Sequence, residues 1–439
     1  MTLIGFLAAA NLFACATSPA DPLVVEGEQP VTNTEVLDET APAQEAAPTP
    51  TEPTPASVPA ANLPIEARFA QWKQGFIARM SQRYDPATVE RLIAPAQLRP
   101  ELFEQDANQA EFVKPVWSYL DTAIADTRVR PGRENLQLFS TTFDEVEARY
   151  RVPREILTAV WGLESQYGTI MGDYPVVDTL SSFAFEGRRS EMFTNQLEAL
   201  VGLVASGMLR EDQLLGGWAG AMGMTQFMPA TLRDYAVDFD GNGVIELRSS
   251  EADALGSAAH YLSRFGWVPG QPAYVEVQVP TGFDYALADG STKRSVAEWA
   301  QLGVAPVSGS FDPAIGASEA KLVLLAGARG PAFLTLKNFD VIKRYNNSTS
   351  YALAVAGLAK TFDGEIPVVR DWPRDDQPLG RSDIELMQEA LTRQGYDTRG
   401  VDGVVGPATR RAIRAWQAAN GLPADGYVEQ TLLQRILAG

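Results

Sequence analysis

The chain has 439 residues, a formal net charge of −19, 45% hydrophobic residues and one cysteine. This length is enough for two or three domains, and the hydrophobic fraction is ordinary for folded cores. The acidic excess argues against nucleic acid as a partner, because a phosphate backbone requires a basic face. One cysteine also excludes an intrachain disulfide.

The N-terminus has the pattern of an export signal. Residues 3–14 form an apolar run that is too short for a transmembrane anchor and is typical of a signal peptide. The run leads into Leu12-Phe13-Ala14-Cys15, which resembles a bacterial lipobox, so Cys15 is the predicted lipidation site. Phe13 is bulky for its place and no Lys or Arg precedes the run. A plain secretory signal with an incidental cysteine therefore stays open.

Residues 16–64 are dominated by Ala, Pro, Thr and Glu, as in "APAQEAAPTPTEPTPASVPAANLP". Such a segment cannot bury a core, and we expect a disordered, semi-extended tether between the N-terminus and the folded body. No later segment of the sequence has an apolar run long enough for a transmembrane helix.

The segment from residue 65 to about 259 is predominantly helical in pattern. Apolar residues recur at spacings of three and four in "FAQWKQGFIARM", "FDEVEARY" and "FTNQLEALVGLVASGML". Between residues 274 and 336 the period shortens to two, because "YVEVQVP" alternates and "KLVLLAGARGPAFLTL" has the form of two strands joined by a Gly-rich turn. Helical spacing returns in "STSYALAVAGLAKTF". The sequence predicts a mainly α body with a small β insertion.

The stretch "VWGLESQYG" places Glu164 on the apolar face of a predicted helix. Pro153 fits the first helical position and Gly168 fits a C-terminal cap. Glu164 shares the apolar stripe with Val160 and Tyr167. One interpretation is that Glu164 lies at the rim of the stripe and reaches solvent or an arginine. The other is a desolvated carboxyl with a raised pKa, which suits a general acid.

Downstream, "GGWAGAMGMTQFMPATLRDYAVDFD" surrounds Gln226 with Gly, Ala and Met. Small residues let a ligand approach the backbone closely, and Met and Phe227 offer apolar faces to sugar rings. The alternative is a tight helix–loop junction in which the glycines serve the backbone only.

"DFDGNGVIE" has the spacing of the start of an EF-hand loop, with Gly243 at the sixth position. Ser249 takes the twelfth position, where a bidentate Glu is expected, so only Asp253 further on could close the site. A metal-free Asx/Gly turn is the alternative. The predicted calcium ligands are Asp238, Asp240, Asn242, Val244 and Asp253.

The C-terminal part begins after a polar, Pro-containing boundary at residues 368–380. It contains an internal repeat, because Asp402-Gly403 and Asp425-Gly426 each precede a helical pattern. The three predicted helices are "DIELMQEALTRQG", "ATRRAIRAWQAAN" and "EQTLLQRI".

The order of these motifs from residue 65 to about 362 resembles the membrane-bound lytic murein transglycosylase B family of bacterial cell-wall enzymes. The resemblance is carried by "GLESQYG", "WAGAMGMTQFMPAT", "YAVDFDGNG", "DALGSAAHYL" and "NFDVIKRYNNSTSYALAV". It implies a lysozyme-like α+β catalytic domain, places the family's acid/base glutamate on Glu164, and agrees with calcium binding by some members. Residues 381–437 resemble a three-helix peptidoglycan-binding module, and a purely structural module is the alternative.

By the same resemblance, seven residues are expected to hold the glycan. One departure is visible: members often have Ser before the aromatic residue, whereas here Gly217 precedes Trp218, so that hydrogen bond to substrate is missing. Amide and phenol groups can bind acetamido and hydroxyl groups, and rings stack on sugar faces. The expected groove residues are Met224, Gln226, Phe227, Tyr261, Tyr345, Asn346 and Tyr351.

The expected function is cleavage of the β-1,4 bond between N-acetylmuramic acid and N-acetylglucosamine, leaving 1,6-anhydromuramyl ends. No cofactor is needed for this chemistry, although a structural calcium is expected. The alternatives are a lysozyme-type hydrolase, using Asp173, Asp178 or Glu186 as a second carboxylate, and a non-catalytic wall-binding lipoprotein.

We expect a monomer in the periplasm, held at the outer membrane by a lipid anchor only. Its expected partners are peptidoglycan glycan strands, with other wall enzymes as candidates. The predicted units are the export signal 1–15, the tether 16–64, the catalytic domain 65–367, the linker 368–380 and the wall-binding module 381–437.

Overall fold

A computed structural model describes residues 63–109, 115–186, 189–377 and 379–439. The predicted export signal, Cys15 and nearly all of the tether lie outside the described residues. Across the described ranges no helix combines the length and apolar character needed to cross a membrane. The same ranges hold seventeen α-helices and seven short β-strands, which confirms the predicted mainly α class.

The helical body is built from amphipathic segments with recognisable starts. In α1, Phe69, Phe76 and Met80 are buried on one face. In α2, Asp85 caps the first turn by accepting a hydrogen bond from the Thr88 N–H. The first eleven helices are α1 Ile65–Met80, α2 Pro86–Ile93, α3 Glu101–Gln109, α4 Val116–Ala123, α5 Asp126–Leu138, α6 Ser140–Tyr150, α7 Arg154–Ser165, α8 Val176–Glu186, α9 Ser190–Ala205, α10 Pro229–Tyr235 and α11 Glu251–Arg264.

The predicted β insertion is a five-stranded antiparallel sheet with its own small core. Strand order is β4-β6-β7-β3-β5, and β1 and β2 form a separate two-stranded pair. Val277, Trp299 and Leu334 are buried within the sheet's core. The strands are β1 Tyr174–Pro175, β2 Leu215–Gly216, β3 Tyr274–Gln278, β4 Lys293–Ser295, β5 Ala305–Pro306, β6 Glu319–Leu324 and β7 Ala332–Thr335, with α12 Val296–Gln301 between β4 and β5.

Two helices return the chain from the sheet to the main core: α13 Lys337–Tyr345 and α14 Thr349–Phe362. The run of Ala and Gly in α14 makes the helix narrow, and ten of its fourteen residues are buried. It packs against both α7 and α4. This packing brings the end of α7 beside residues that lie almost two hundred positions later.

The C-terminal helices are α15 Arg381–Arg393, α16 Pro407–Ala419 and α17 Gln430–Ala438, and they enclose a separate apolar core. The internal repeat has a structural counterpart. The Gln388 amide donates to the Asp402 carboxylate at 2.8 Å and accepts from the Gly403 N–H at 3.0 Å. The Gln417 amide makes the matching pair with Asp425 and Gly426, each at 2.8 Å.

Residues 367–376, which we call the strap, lie against the body although most of them fall in the predicted linker. The buried Glu276 carboxylate on β3 accepts hydrogen bonds from the N–H groups of Val369 (2.6 Å) and Arg370 (2.8 Å). Beyond the strap, the second repeat turn touches the β insertion, because the Ala328 N–H donates to Asp425 at 2.7 Å. The domain bounds themselves stay a prediction.

Candidate active site

The end of α7 turns the chain sharply just after Glu164. The helix begins one residue after Pro153, which is its N-cap rather than its first residue. The C-terminal cap predicted at Gly168 was wrong, because the helix ends at Ser165 and Gln166 takes the left-handed cap conformation with φ 48°. Tyr167 (φ 58°) and Gly168 (φ 80°) continue this left-handed run.

Ser165 fastens this turn to the Gly/Ala/Met segment. Its hydroxyl donates to the Met224 carbonyl at 2.6 Å and accepts from the Gly168 N–H at 2.9 Å. Gln226 is also left-handed, with φ 49°, and its amide donates to the carbonyls of Gly223 (2.7 Å) and Met171 (3.2 Å). The two motifs that the sequence singled out therefore meet in space.

Glu164 is half-buried, and its carboxyl accepts a hydrogen bond from the Tyr351 hydroxyl at 2.5 Å. Tyr351 belongs to α14 and is 2% exposed. Burial raises the pKa of Glu164 to about 7, although the hydrogen bond from Tyr351 acts in the opposite direction. A carboxyl that titrates near neutrality can both give and take a proton, as a general acid/base must.

Tyr119 interacts electrostatically with Glu164, and the sequence did not single it out. It lies on α4, and its pKa is raised by burial and further by the negative charge of Glu164. Tyr119 in turn contributes to raising the pKa of Tyr351. Nothing in the local spacing of Tyr119 distinguishes it from an ordinary aromatic residue of an amphipathic helix.

Arg128 on α5 braces the same end of α7. Its guanidinium donates to the Gly162 carbonyl at 3.0 Å, and its own carbonyl accepts from the Tyr167 hydroxyl at 2.7 Å. A Cβ on Gly162 would come within 2.6 Å of the Tyr167 ring, so only glycine permits this fold-back. The turn after Glu164 is thus held from two sides.

The seven predicted groove residues are all at least nine-tenths buried. Tyr261 donates its hydroxyl to the Arg344 carbonyl at 2.6 Å, and Tyr345 donates to the Thr225 carbonyl at 2.5 Å. The rings of Phe227, Tyr261 and Tyr345 form one cluster with centroid separations of 5.3 to 5.8 Å. These rings support the Gly/Ala/Met segment, and their contact with glycan stays a prediction.

Met224 and Asn346 complete the set of predicted groove residues. The Met224 N–H donates to the Leu247 carbonyl at 2.7 Å, and its side chain packs near Gly168. Asn346 follows the last residue of α13 and is 5% exposed. Their role as glycan contacts likewise stays a prediction.

The predicted metal loop brings three carboxylates together. Ligand atoms of Asp238, Asp240 and Asp253 lie within 4.8 Å of one another. Asp253, and not Ser249, is therefore the residue that lies beside the carboxylates at the first and third loop positions. Asp253 is fully buried in the first turn of α11, and burial raises its pKa. A buried carboxylate with two acidic neighbours is a setting in which a divalent cation would offset repulsion.

The loop backbone already uses several of these oxygens. Asp238 accepts from the N–H groups of Gly241 (2.8 Å) and Gly243 (2.7 Å), and the Asn242 amide oxygen accepts from the Val244 N–H (2.9 Å). The donor set of carboxylate, amide and carbonyl oxygens fits calcium, which prefers oxygen ligands.

Two of the three carboxylates considered for a hydrolase are engaged elsewhere. Asp178 is buried and forms an ion pair with Arg99 at 2.7 Å. Glu186 pairs with Arg68 at 3.2 Å on the surface. Asp173 is exposed in the loop before β1. Glu164 has Tyr351 as its hydrogen-bond partner, and no arginine or carboxylate takes that place in the described part of the chain.

Comparison with known proteins gives two family matches. The profile of the transglycosylase SLT domain matches residues 68–360, and that of the putative peptidoglycan-binding domain matches residues 380–436. The membrane-bound lytic murein transglycosylase B of Escherichia coli (strain K12) is 31% identical over 305 residues, covering 65% of this chain and 81% of that protein.

The solved structures that resemble this chain include lytic transglycosylases. SltB3 from Pseudomonas aeruginosa, in complex with NAG-NAM-pentapeptide, is 44% identical with a TM-score of 0.80, over 84% of this chain and 99% of that one. The Escherichia coli lytic transglycosylase SLT35, in complex with calcium, is 30% identical with a TM-score of 0.59, over 66% of this chain and 92% of that one.

Proposed function

This chain belongs to the transglycosylase SLT family and is a peptidoglycan lytic transglycosylase, and from that premise we propose that Glu164 alone performs the acid and base steps. The observation that carries the proposal is the half-buried carboxyl of Glu164, with a pKa near 7 and Tyr351 as its hydrogen-bond partner. A single group of this kind can serve both steps in turn.

In the first step, protonated Glu164 donates its proton to the glycosidic oxygen while the bond from that oxygen to muramyl C1 breaks. In the second, the Glu164 carboxylate takes the proton of the muramyl C6 hydroxyl, and that oxygen bonds to C1. The product is a 1,6-anhydromuramyl end, and no water is consumed. The intramolecular C6 hydroxyl has an entropic advantage over a diffusing water.

Tyr351 stabilises the ionised form of Glu164, which is present between the two steps. Its hydroxyl donates to Glu164 Oε1, which favours the carboxylate that exists between the two steps. Burial favours the protonated form that begins the cycle. The balance of the two effects keeps both forms accessible near neutral pH.

The remaining site residues serve binding and support in this proposal. Met224, Gln226, Phe227, Tyr261, Tyr345, Asn346 and Tyr351 line or support the glycan groove. Calcium at Asp238, Asp240, Asn242, Val244 and Asp253 stabilises the loop that leads to Leu247, whose carbonyl holds the Met224 N–H. The ion takes no part in the bond-making steps.

The C-terminal module binds the wall, and the enzyme acts from a lipid anchor at Cys15 on the periplasmic side of the outer membrane. The family match of residues 380–436 supports the first part, and a relative described as membrane-bound supports the second. We propose a monomer whose substrate is the peptidoglycan glycan strand, as in the NAG-NAM-pentapeptide complex of SltB3.

Digestion of purified wall sacculi, followed by mass spectrometry, tests the mechanism. Each new muramyl end should be lighter by one water than a reducing end and should resist borohydride. The Glu164→Gln protein is the inactive control. Predominantly reducible ends would contradict the proposal and favour a hydrolase, with Asp173, Asp178 and Glu186 the next residues to replace.

A further inference from the structure

We propose that the strap positions the active site, with Arg374 and Trp372 holding helix α4 against α14, the helix whose Tyr351 contacts Glu164. This inference rests on the proposed role of Glu164 as the acid/base. It makes the segment after the catalytic domain a functional support rather than a passive linker. Arg374 and Trp372 act through α4 and are positioning residues.

The first contact is a two-pronged ion pair. The Arg374 guanidinium donates to both oxygens of Asp121 on α4, at 2.6 and 2.8 Å. Both side chains are about half exposed, so the pair adds little to overall stability. Its planar geometry nevertheless fixes the orientation of the groups that it joins.

The second contact is aromatic. The Trp372 ring lies 6.2 Å from Trp117 on α4 and 6.1 Å from Phe333 on β7, measured between centroids. Beside it, the strap and α4 border an open pocket of about 380 Å³, lined in part by Leu120 and Ile124. The ion pair and the tryptophan are therefore the contacts by which the strap holds this side of the helix, whose buried side chains also pack in the main core.

The helical spacing of α4 connects the strap to Glu164. Trp117 and Asp121 are four residues apart on α4, and Ile124, the C-cap residue, follows three residues later, so all three lie on the side that meets the strap. Tyr119 is two residues from both Trp117 and Asp121 and lies on the opposite side of the helix. There the charge of Glu164 acts on it. Movement of α4 away from the strap therefore moves Tyr119 relative to Glu164.

A third junction extends the support to α14, the helix of Tyr351. A Cβ built on Gly357 would lie 3.0 Å from Ile124, the C-cap of α4, and 3.2 Å from Pro367 of the strap. The carbonyl of Pro367 accepts a hydrogen bond from the Tyr274 hydroxyl at 2.5 Å. The strap thus meets both helices that carry the tyrosine neighbours of Glu164.

Loosening the strap should let more water reach Glu164. The titratable groups that face Glu164 are Tyr351 from α14 and Tyr119 from α4, and Arg128 from α5 acts on Tyr119. Because burial is the main cause of the raised pKa of Glu164, added water should lower that pKa toward its ordinary value. The protonated acid is the active form, so its loss with rising pH should begin at a lower pH.

The test measures kcat against pH for the full chain on short soluble glycans. In Arg374→Ala, the alkaline midpoint should move to lower pH by about half a unit or more, with KM within about twofold of wild type. The double variant with Asp121→Arg and Arg374→Asp, which restores the pair in reverse, should return the midpoint toward wild type. Arg130→Ala is the control, because Arg130 forms an exposed pair with Glu134 on α5, away from the strap.

If folded Arg374→Ala keeps the wild-type midpoint and kcat, the inference is wrong. If Arg374→Ala does not fold, Arg374→Lys is measured instead, since lysine keeps the charge without the two-pronged geometry; an unshifted midpoint there would also overturn it. Full activity of Glu164→Gln would instead overturn the proposed function, so the two failures are distinguishable.

Discussion

Tyr351 donates a hydrogen bond to Glu164 across 187 positions of sequence, with 2.5 Å between the two oxygens. The contact joins α14 to the end of α7 and opposes the effect of burial on the same carboxyl. The pKa of Glu164 is therefore the result of two effects that can be changed separately.

Replacing Tyr351 with Phe removes the hydrogen bond that favours the carboxylate. The pKa of Glu164 should rise above about 7, so the alkaline fall of kcat should move to higher pH by about one unit, as expected for a hydrogen bond to a charged group. The measurement is kcat against pH on short soluble glycans. Tyr345→Phe is the control, because Tyr345 donates to the Thr225 carbonyl instead. A midpoint that stays in place or falls would contradict this account.

Glu164→Gln should keep the fold and lose activity by at least ~10²–10⁴-fold, since an amide cannot deliver and recover a proton. Wall lysis and release of anhydro ends are the readouts. Glu155→Gln, at the opposite end of α7, should keep activity. Wild-type lysis by a folded Glu164→Gln protein would remove Glu164 from the mechanism.

The Glu164→Gln variant should become more stable relative to wild type as the pH rises to about 7. The pKa of Glu164 is about 7 in the folded protein against 4.5 ordinarily, so the native state binds its proton more tightly. The contribution of Glu164 to the free energy of unfolding therefore falls as pH rises from about 4.5 to about 7. Glutamine does not titrate, so the variant does not lose this contribution. The difference in unfolding free energy between variant and wild type should grow by up to about 3 kcal/mol across this window. Melting curves at several pH values measure it, and a difference independent of pH would contradict the raised pKa.

Calcium should raise the melting temperature of protein that has been treated with chelator, because it binds the native state. Replacing both Asp238 and Asp240 with Asn should abolish the rise while leaving acceptor oxygens for the loop backbone. Asp312→Asn is the matched control, since Asp312 caps a turn in the β insertion. No response of the wild type to millimolar calcium would favour the metal-free turn.

A truncation after Gln377 should lose binding to intact sacculi and still cut short soluble glycans. The module has its own core, while the strap stays with the body. Its loss removes an avidity effect and not a catalytic group. Co-sedimentation with sacculi, measured beside turnover of soluble glycan, separates the two. Equal sedimentation of both forms would make the module purely structural.

Structural features formed by residues that are close in the sequence were predictable. The helices of the body, the two strands around the turn at residues 325–331 and the repeated Asp-Gly turns follow from spacing and turn residues. The carboxylates of Asp238, Asp240 and Asp253 also lie close in sequence, so their convergence could be anticipated.

Contacts between distant segments could not be predicted in this way. The cap at Gln166 was missed because a side chain with a Cβ seldom takes the left-handed conformation, and the contact of Ser165 with Met224 forms only in the fold. Tyr119 looks like any aromatic residue of an amphipathic helix. The polar composition of the strap suggests a linker, while Arg374 finds its partner 253 positions earlier.

The fixed position of residues 367–376 also determines where this protein can be recombined with others. A chimera that exchanges the wall-binding module at the polar boundary seen in the sequence would remove Trp372 and Arg374 from the enzyme that they contact. A junction placed after Gln377 leaves those contacts intact and exchanges only the three-helix unit. Modular exchange in this architecture should therefore preserve turnover when the crossover falls after the strap and impair it when the crossover falls before it.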